Sequence, residues 1–124
     1  MNSKVFLVLR ILLGIFVLVF GANKFLNFLP PPEMGEAAGA YFGALVSTHT
    51  LTLVAIVEIL AGLALIFNKF GALMSVILMS VSINAVLFHA TLEPGGIGPA
   101  LVLLLLNIVM LVGYKDKFQD MLKG

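Results

Sequence analysis

Four long apolar runs, at 5–26, 51–67, 70–90 and 98–114, are separated by short stretches that hold nearly all the charged residues. A helix crossing the hydrocarbon core of a bilayer needs about 20 apolar residues, so each run is close to the length of one span. A transmembrane strand would instead alternate apolar and polar positions over about ten residues. No such alternation is present, and a backbone in hydrocarbon must satisfy its own hydrogen bonds, so the runs predict helices. The pattern predicts one all-α domain over residues 1–124, a four-transmembrane-helix bundle.

The links between the runs refine this picture. Only Asn68 and Lys69 separate the second and third runs, which makes those spans antiparallel neighbours. Glu93-Pro94-Gly95-Gly96 after the third run is a turn sequence. The first link is the longest, and its Pro30-Pro31-Pro32 ends one helix and presets the start of another. Glu33 and Glu36 then stand where a helix amino terminus favours negative charge. Met34, Ala38, Tyr41, Phe42 and Leu45 follow as an apolar stripe at helical spacing. The expectation is a short interfacial helix over 32–48, acting either as an anchor among the headgroups or as a lid over a site between the spans.

Composition and charge agree with a membrane protein. Of the 124 residues 61% are apolar and 10% charged, against about 45–50% and about 25% in ordinary soluble domains. Of the charged residues, only Arg10, Lys24 and Glu58 fall within the runs. Lys4, Arg10, Lys69, Lys115, Lys117 and Lys123 belong to the side of the two termini, and only Lys24 to the other. The positive-inside rule therefore places both termini in the cytoplasm, and the expected location is a bacterial inner membrane. The amino-terminal run carries Arg10 and has no small-x-small cleavage site before Lys24, so it reads as the first span rather than a secretory signal. A net charge of +1 without a basic run argues against a nucleic-acid partner. The absence of cysteine excludes disulfides, thiol redox chemistry and cysteine metal sites. No zinc spacing, phosphate loop or serine-histidine-acid set occurs, so no metal site is expected.

Candidate chemistry lies in the few polar residues inside the spans. At about 100° per residue, Arg10, Gly14, Val17, Gly21 and Lys24 fall within about 80° of arc on the first helix. A stripe that gathers two cations and two glycines faces the bundle, because close helix approach needs small residues and charges need an interior. Glu58 lies near the middle of the second span with Ala55 and Gly62 on its face. Side chains lean toward a helix amino terminus, so Lys24 and Glu58 lean toward each other across an axial gap of about 13 Å, close enough for contact directly or through a water. Such a pair is either a device that fixes helix register or part of a site for a proton, a quinone or an anion. Arg10 leans the other way and is expected to snorkel to the headgroups.

The third span carries Ser75, Ser82 and His89 on one face and Ser80 with Asn84 on another, predicting polar contacts with two neighbours. Asn107 falls at nearly the depth of Glu58 and Asn84, so these three are expected to form a mid-membrane polar layer with Lys24 and His89 above it. Asparagines in such positions commonly link helices by hydrogen bonds. Lys24, Glu58, Asn84, His89 and Asn107 are the ligand-binding candidates, and Arg10, Gly14, Gly21 and Gly62 the supporting ones. His49 and His89 both lie near the outer surface, but His49 sits in a loop or helix start, so a bis-histidine haem is not expected.

These residues fall in short motifs: Arg-Ile-Leu-Leu-Gly from Arg10, Phe-Gly-Ala-Asn-Lys-Phe from Phe20, Val-Glu-Ile-Leu-Ala-Gly from Val57, and Asn84 with Phe88-His89. In this order, over about Val5 to Tyr114, the chain resembles the DoxX family of small four-helix membrane proteins. The resemblance implies the four-helix fold, with Arg10, Lys24, Glu58 and His89 as the matched polar positions. It also implies an association with quinone-linked electron transfer, since the family takes its name from a membrane subunit of a thiosulfate:quinone oxidoreductase. Distant relatives look like assembly chaperones, and a fold does not transfer a reaction.

Three functions follow as expectations. The first is the membrane subunit of a quinone-linked oxidoreductase with a polar pocket in the outer half of the bundle, working with another membrane or peripheral redox subunit; no intrinsic redox group is visible, so a bound quinone or a partner must supply one. The second is a scaffold or assembly subunit of a larger membrane complex, packing through Gly14, Gly21 and Gly62. The third is a small-solute carrier, which with four spans and no repeat of broken helices would have to be a homo-oligomer such as a dimer. An open cavity among Lys24, Glu58, Asn84 and His89 favours a ligand, and closure by packing favours a scaffold.

Overall fold

The computed structural model describes residues 2–29 and 33–124, and the Pro30-Pro31-Pro32 stop expected from the sequence lies outside them. The helices are α1 (Ser3–Leu26), α2 (Glu36–Ser47), α3 (Thr50–Phe67), α4 (Gly71–Thr91), α5 (Ile97–Gly113) and a terminal turn, α6 (Gln119–Leu122). Among the described residues there is no strand. α1, α3, α4 and α5, the last together with the turn before it, are long and apolar enough to cross a membrane. The chain is thus an integral membrane protein of all-α class with four spans.

Local chemistry sets the ends of these helices. Asn2 caps α1 by accepting a hydrogen bond from the Lys4 amide at 2.8 Å. Asn27 closes α1 in the left-handed conformation, φ 51°, which asparagine tolerates better than most residues. Asn23 Oδ1 then accepts from the Leu29 amide at 2.7 Å and turns the chain away. Asn68 and Phe70 are also left-handed, φ 54° and 60°, and reverse the chain between α3 and α4 within three residues. α2 is shorter than the 32–48 helix predicted. Gly35 is its extended cap, so Glu36 alone supplies the first-turn acid, while Glu33 and Met34 precede the helix.

The spans form a ring in which α1 and α4 each pack between α3 and α5, with α2 lying against α3. The seam between α1 and α3 is the tightest. A Cβ added to Gly62 would come within 2.8 Å of the Gly14 carbonyl oxygen, and one added to Gly21 within 2.9 Å of Glu58 Cβ. The glycines thus bring backbone against backbone, as the stripe predicted. α4 and α5 are joined differently, through the fully buried Asn107. Its Oδ1 accepts from Ser82 Oγ at 2.6 Å and its Nδ2 donates to the Ser75 carbonyl at 2.9 Å. Leu13, Val17, Leu65, Leu78 and Met110 fill the centre, while Leu53, Leu60 and Leu105 face outward.

The end of the bundle that carries the termini is closed. Tyr114 OH donates to Asn68 Oδ1 at 2.7 Å, and the Phe6 ring meets the Tyr114 ring edge-on at 5.1 Å. Arg10 corrects an expectation here. Instead of snorkelling it is buried and donates to the Leu65 and Ile66 carbonyls. Those carbonyls belong to the last turn of α3, where they lack helical partners and carry the negative end of the helix dipole. The guanidinium therefore finds its acceptors inside the protein.

Candidate functional site

At the other end the four spans part and enclose a cavity of about 390 Å³, within the range of small-molecule sites at about 300–1,000 Å³. α1 contributes Phe16, Phe20 and Lys24, and α2 contributes Tyr41, Phe42 and Leu45. Leu51, Val54 and Glu58 come from α3, with Pro99, Ala100 and Leu103 from α5. α4 supplies the most, with Ser80, Val81, Asn84, Ala85, Phe88 and His89. The lining is aromatic and aliphatic apart from one polar group of side chains, the composition expected of a site for an apolar ring with polar substituents.

The deepest charged groups in the lining are an ion pair. Lys24 Nζ lies 2.6 Å from Glu58 Oε1, with Glu58 4% exposed. Contact is direct, and the offset along the helices is smaller than the 13 Å expected. The glycine seam sets the register. Gly21 faces Ala55, Glu58 and Ile59, which leaves Lys24 about one helical turn further on. The sequence estimate aligned the ends of the two spans, whereas packing aligns their small residues. Lys24 Nζ also donates to the Phe20 carbonyl at 3.4 Å. Glu58 Oε1 is buried and takes its hydrogen bond from that ammonium. A carboxylate has about four lone-pair sites, so this pairing leaves Glu58 acceptor capacity to spare.

The remaining polar lining comes from α4 and its partners. His89 Nδ1 lies 3.0 Å from the Glu93 carbonyl oxygen. A carbonyl only accepts, so Nδ1 carries the proton and Nε2 is left as an acceptor. Asn84 Nδ2 donates to Tyr41 OH at 3.0 Å. The Tyr41 ring stacks on Phe88 at 5.1 Å, and Phe42 meets Phe88 edge-on at 5.0 Å. Through these contacts the apolar stripe of α2 is turned to the bundle, with Ala38 buried and Tyr41, Phe42 and Leu45 on the cavity.

Four of the five ligand-binding candidates, Lys24, Glu58, Asn84 and His89, line this one cavity. Asn107 does not, because both ends of its amide are engaged between α4 and α5. The single polar layer expected from depth therefore splits in two: Ser82 and Asn84, two residues apart on α4, face different neighbours. His49 caps α3 in the left-handed conformation, is exposed, and lies off the cavity that His89 lines. The aromatic wall of Phe16 and Phe20, with ring centroids 4.9 Å apart, was not anticipated. Hydropathy alone treats such residues as lipid-facing, but each directly precedes a buried residue of the seam, Val17 or Gly21, which places it at the edge of the inward face.

A family model described as DoxX matches residues 5–91, from α1 through α4. Lys24, Glu58, Asn84 and His89 all fall within that match. No curated protein and no solved structure matches the chain.

Proposed function

This chain belongs to the DoxX family, and from that premise we propose that its cavity receives the ring of a membrane quinone and that the protein is the membrane subunit of a quinone-linked oxidoreductase. The observation that carries the reading is the convergence of Lys24, Glu58, Asn84 and His89 on one open cavity, rather than on a packed interface. Helices that only scaffold a complex gain nothing from leaving a carboxylate beside a void, since a buried charge is costly unless it is used or fully paired.

The residues fit such a group. Phe16, Phe20, Phe42 and Phe88 offer faces and edges to a flat ring, and the ammonium of Lys24 offers a donor to an oxygen on it. A bound quinone would supply the capacity to carry two electrons and two protons. The chain's own contribution is to hold the ring, to place the Lys24–Glu58 pair at its edge and to keep water out behind α2, which then serves as a lid. Electrons come from a partner subunit. With the basic residues on the side of the termini, the termini lie in the cytoplasm of the inner membrane and the cavity toward its outer face.

The experiment is equilibrium binding of trimethylbenzoquinone to the purified protein in lipid nanodiscs. The reading predicts saturable binding that is lost in Lys24→Met and kept in Leu105→Ala, on the outward face of α5. Absence of binding, or binding indifferent to Lys24→Met, contradicts it.

A further inference from the structure

The polar edge of the cavity distinguishes the two redox forms of a quinone. We propose that the site holds the reduced, dihydroxy form in preference to the oxidised, dicarbonyl form, an inference that rests on the ring-binding reading above. The argument is an inventory of donors and acceptors. A quinone carbonyl can only accept a hydrogen bond, whereas a phenolic hydroxyl both donates and accepts.

Glu58 can only accept, and it lines the cavity with its Oε1 already against the Lys24 ammonium. Lys24 can only donate; one of its N–H groups is directed to Phe20 and its charge is against Glu58. A carbonyl oxygen set at this edge satisfies Lys24 alone and brings a second acceptor against the carboxylate. A hydroxyl oxygen there accepts from Lys24 and gives its proton to a hydrogen bond with Glu58, so both halves of the ion pair gain a partner from one group. The same preference recurs at His89. Its Nδ1 is committed to the Glu93 carbonyl, so Nε2 can only accept. Tyr41 OH and the second N–H of Asn84 remain as donors, but they are neutral. A hydrogen bond to a charged group is the stronger kind, so the carboxylate decides the balance.

The test is anoxic binding of trimethylhydroquinone and of trimethylbenzoquinone, in parallel, to the full chain in lipid nanodiscs, read by isothermal calorimetry. One charge-assisted hydrogen bond gained corresponds to about tenfold or more in affinity. We expect the hydroquinone to bind at least about tenfold more tightly. The ratio should fall toward unity in Glu58→Gln, because an amide donates as well as accepts; the wild-type ratio stands by itself if that variant does not fold. Equal affinity, or tighter binding of the quinone, overturns the preference and leaves the ring site intact. Failure of both forms to bind removes the ring site and the preference with it.

Discussion

Arg10 and Lys24 share one stripe of α1 and meet different fates. Arg10 is matched by the open carbonyls at the end of α3, and Lys24 by a carboxylate beside a cavity. Removing one partner of a buried ion pair leaves an uncompensated charge and costs about 3–5 kcal/mol. Lys24→Met or Glu58→Gln alone should therefore lower the denaturation midpoint in detergent, and the exchanged pair Lys24→Glu with Glu58→Lys should regain a good part of the loss. Single changes without effect would mean that the two groups do not depend on each other. Asn107→Leu should cost about 1–3 kcal/mol by removing the two hydrogen bonds through which Asn107 joins α5 to Ser75 and Ser82 of α4, yet leave ligand affinity unchanged, since Asn107 does not line the cavity. Calorimetry paired with thermal denaturation separates the two outcomes. The ion pair was legible in the sequence because lone charges in apolar runs have few places to go. The helix-linking hydrogen bonds of Asn107 were legible too, but its exclusion from the cavity was not, because depth along a helix says nothing about which neighbour a side chain faces.

Helix contacts follow from small residues more than from hydropathy. The α1–α3 seam could be read from Gly14, Gly21 and Gly62, but its register could not, since nothing in the sequence states how far one helix slides along the other. Because a Cβ on Gly62 would lie 2.8 Å from the Gly14 carbonyl oxygen, Gly62→Ala must push the helices apart, at a cost of about 1–3 kcal/mol. Equilibrium unfolding in mixed micelles should register that loss, and the widened seam should also weaken ligand binding through Glu58. α2 was visible as an amphipathic stripe, yet its attachment to α4 depends on Tyr41 OH and Asn84, from links distant in the chain. Tyr41→Phe removes that hydrogen bond and keeps the stacking on Phe88. Amide exchange in residues 36–47 should accelerate severalfold while exchange in α1 and α3 is unchanged; uniform exchange in both proteins would show that the contact does not hold α2.

Taken whole, the molecule is a bundle closed at the end of its termini and open at the other. Arg10, Tyr114 and Asn68 fasten the closed end, and the cavity occupies the open one. The four spans, their alternation and a pocket about the polar residues were legible because charge is swept out of the apolar runs; the aromatic walls of that pocket were not, because they have the same hydropathy as lipid-facing residues. The charge asymmetry predicts an orientation that can be checked: in cells, Gly43→Cys should react with an impermeant maleimide, and Lys4→Cys and Lys123→Cys only after permeabilisation. The chain has no cysteine of its own to confuse the result. The opposite labelling pattern would invert the molecule.

Photo-crosslinking with an azido-benzoquinone, followed by mapping of the labelled residues, asks most directly whether the cavity is the binding site. The label should fall on cavity residues such as Phe42, Val81 and Phe88 and be displaced by excess unlabelled ligand. Label spread over outward residues such as Leu53, Leu60 and Leu105, indifferent to competitor, would contradict it.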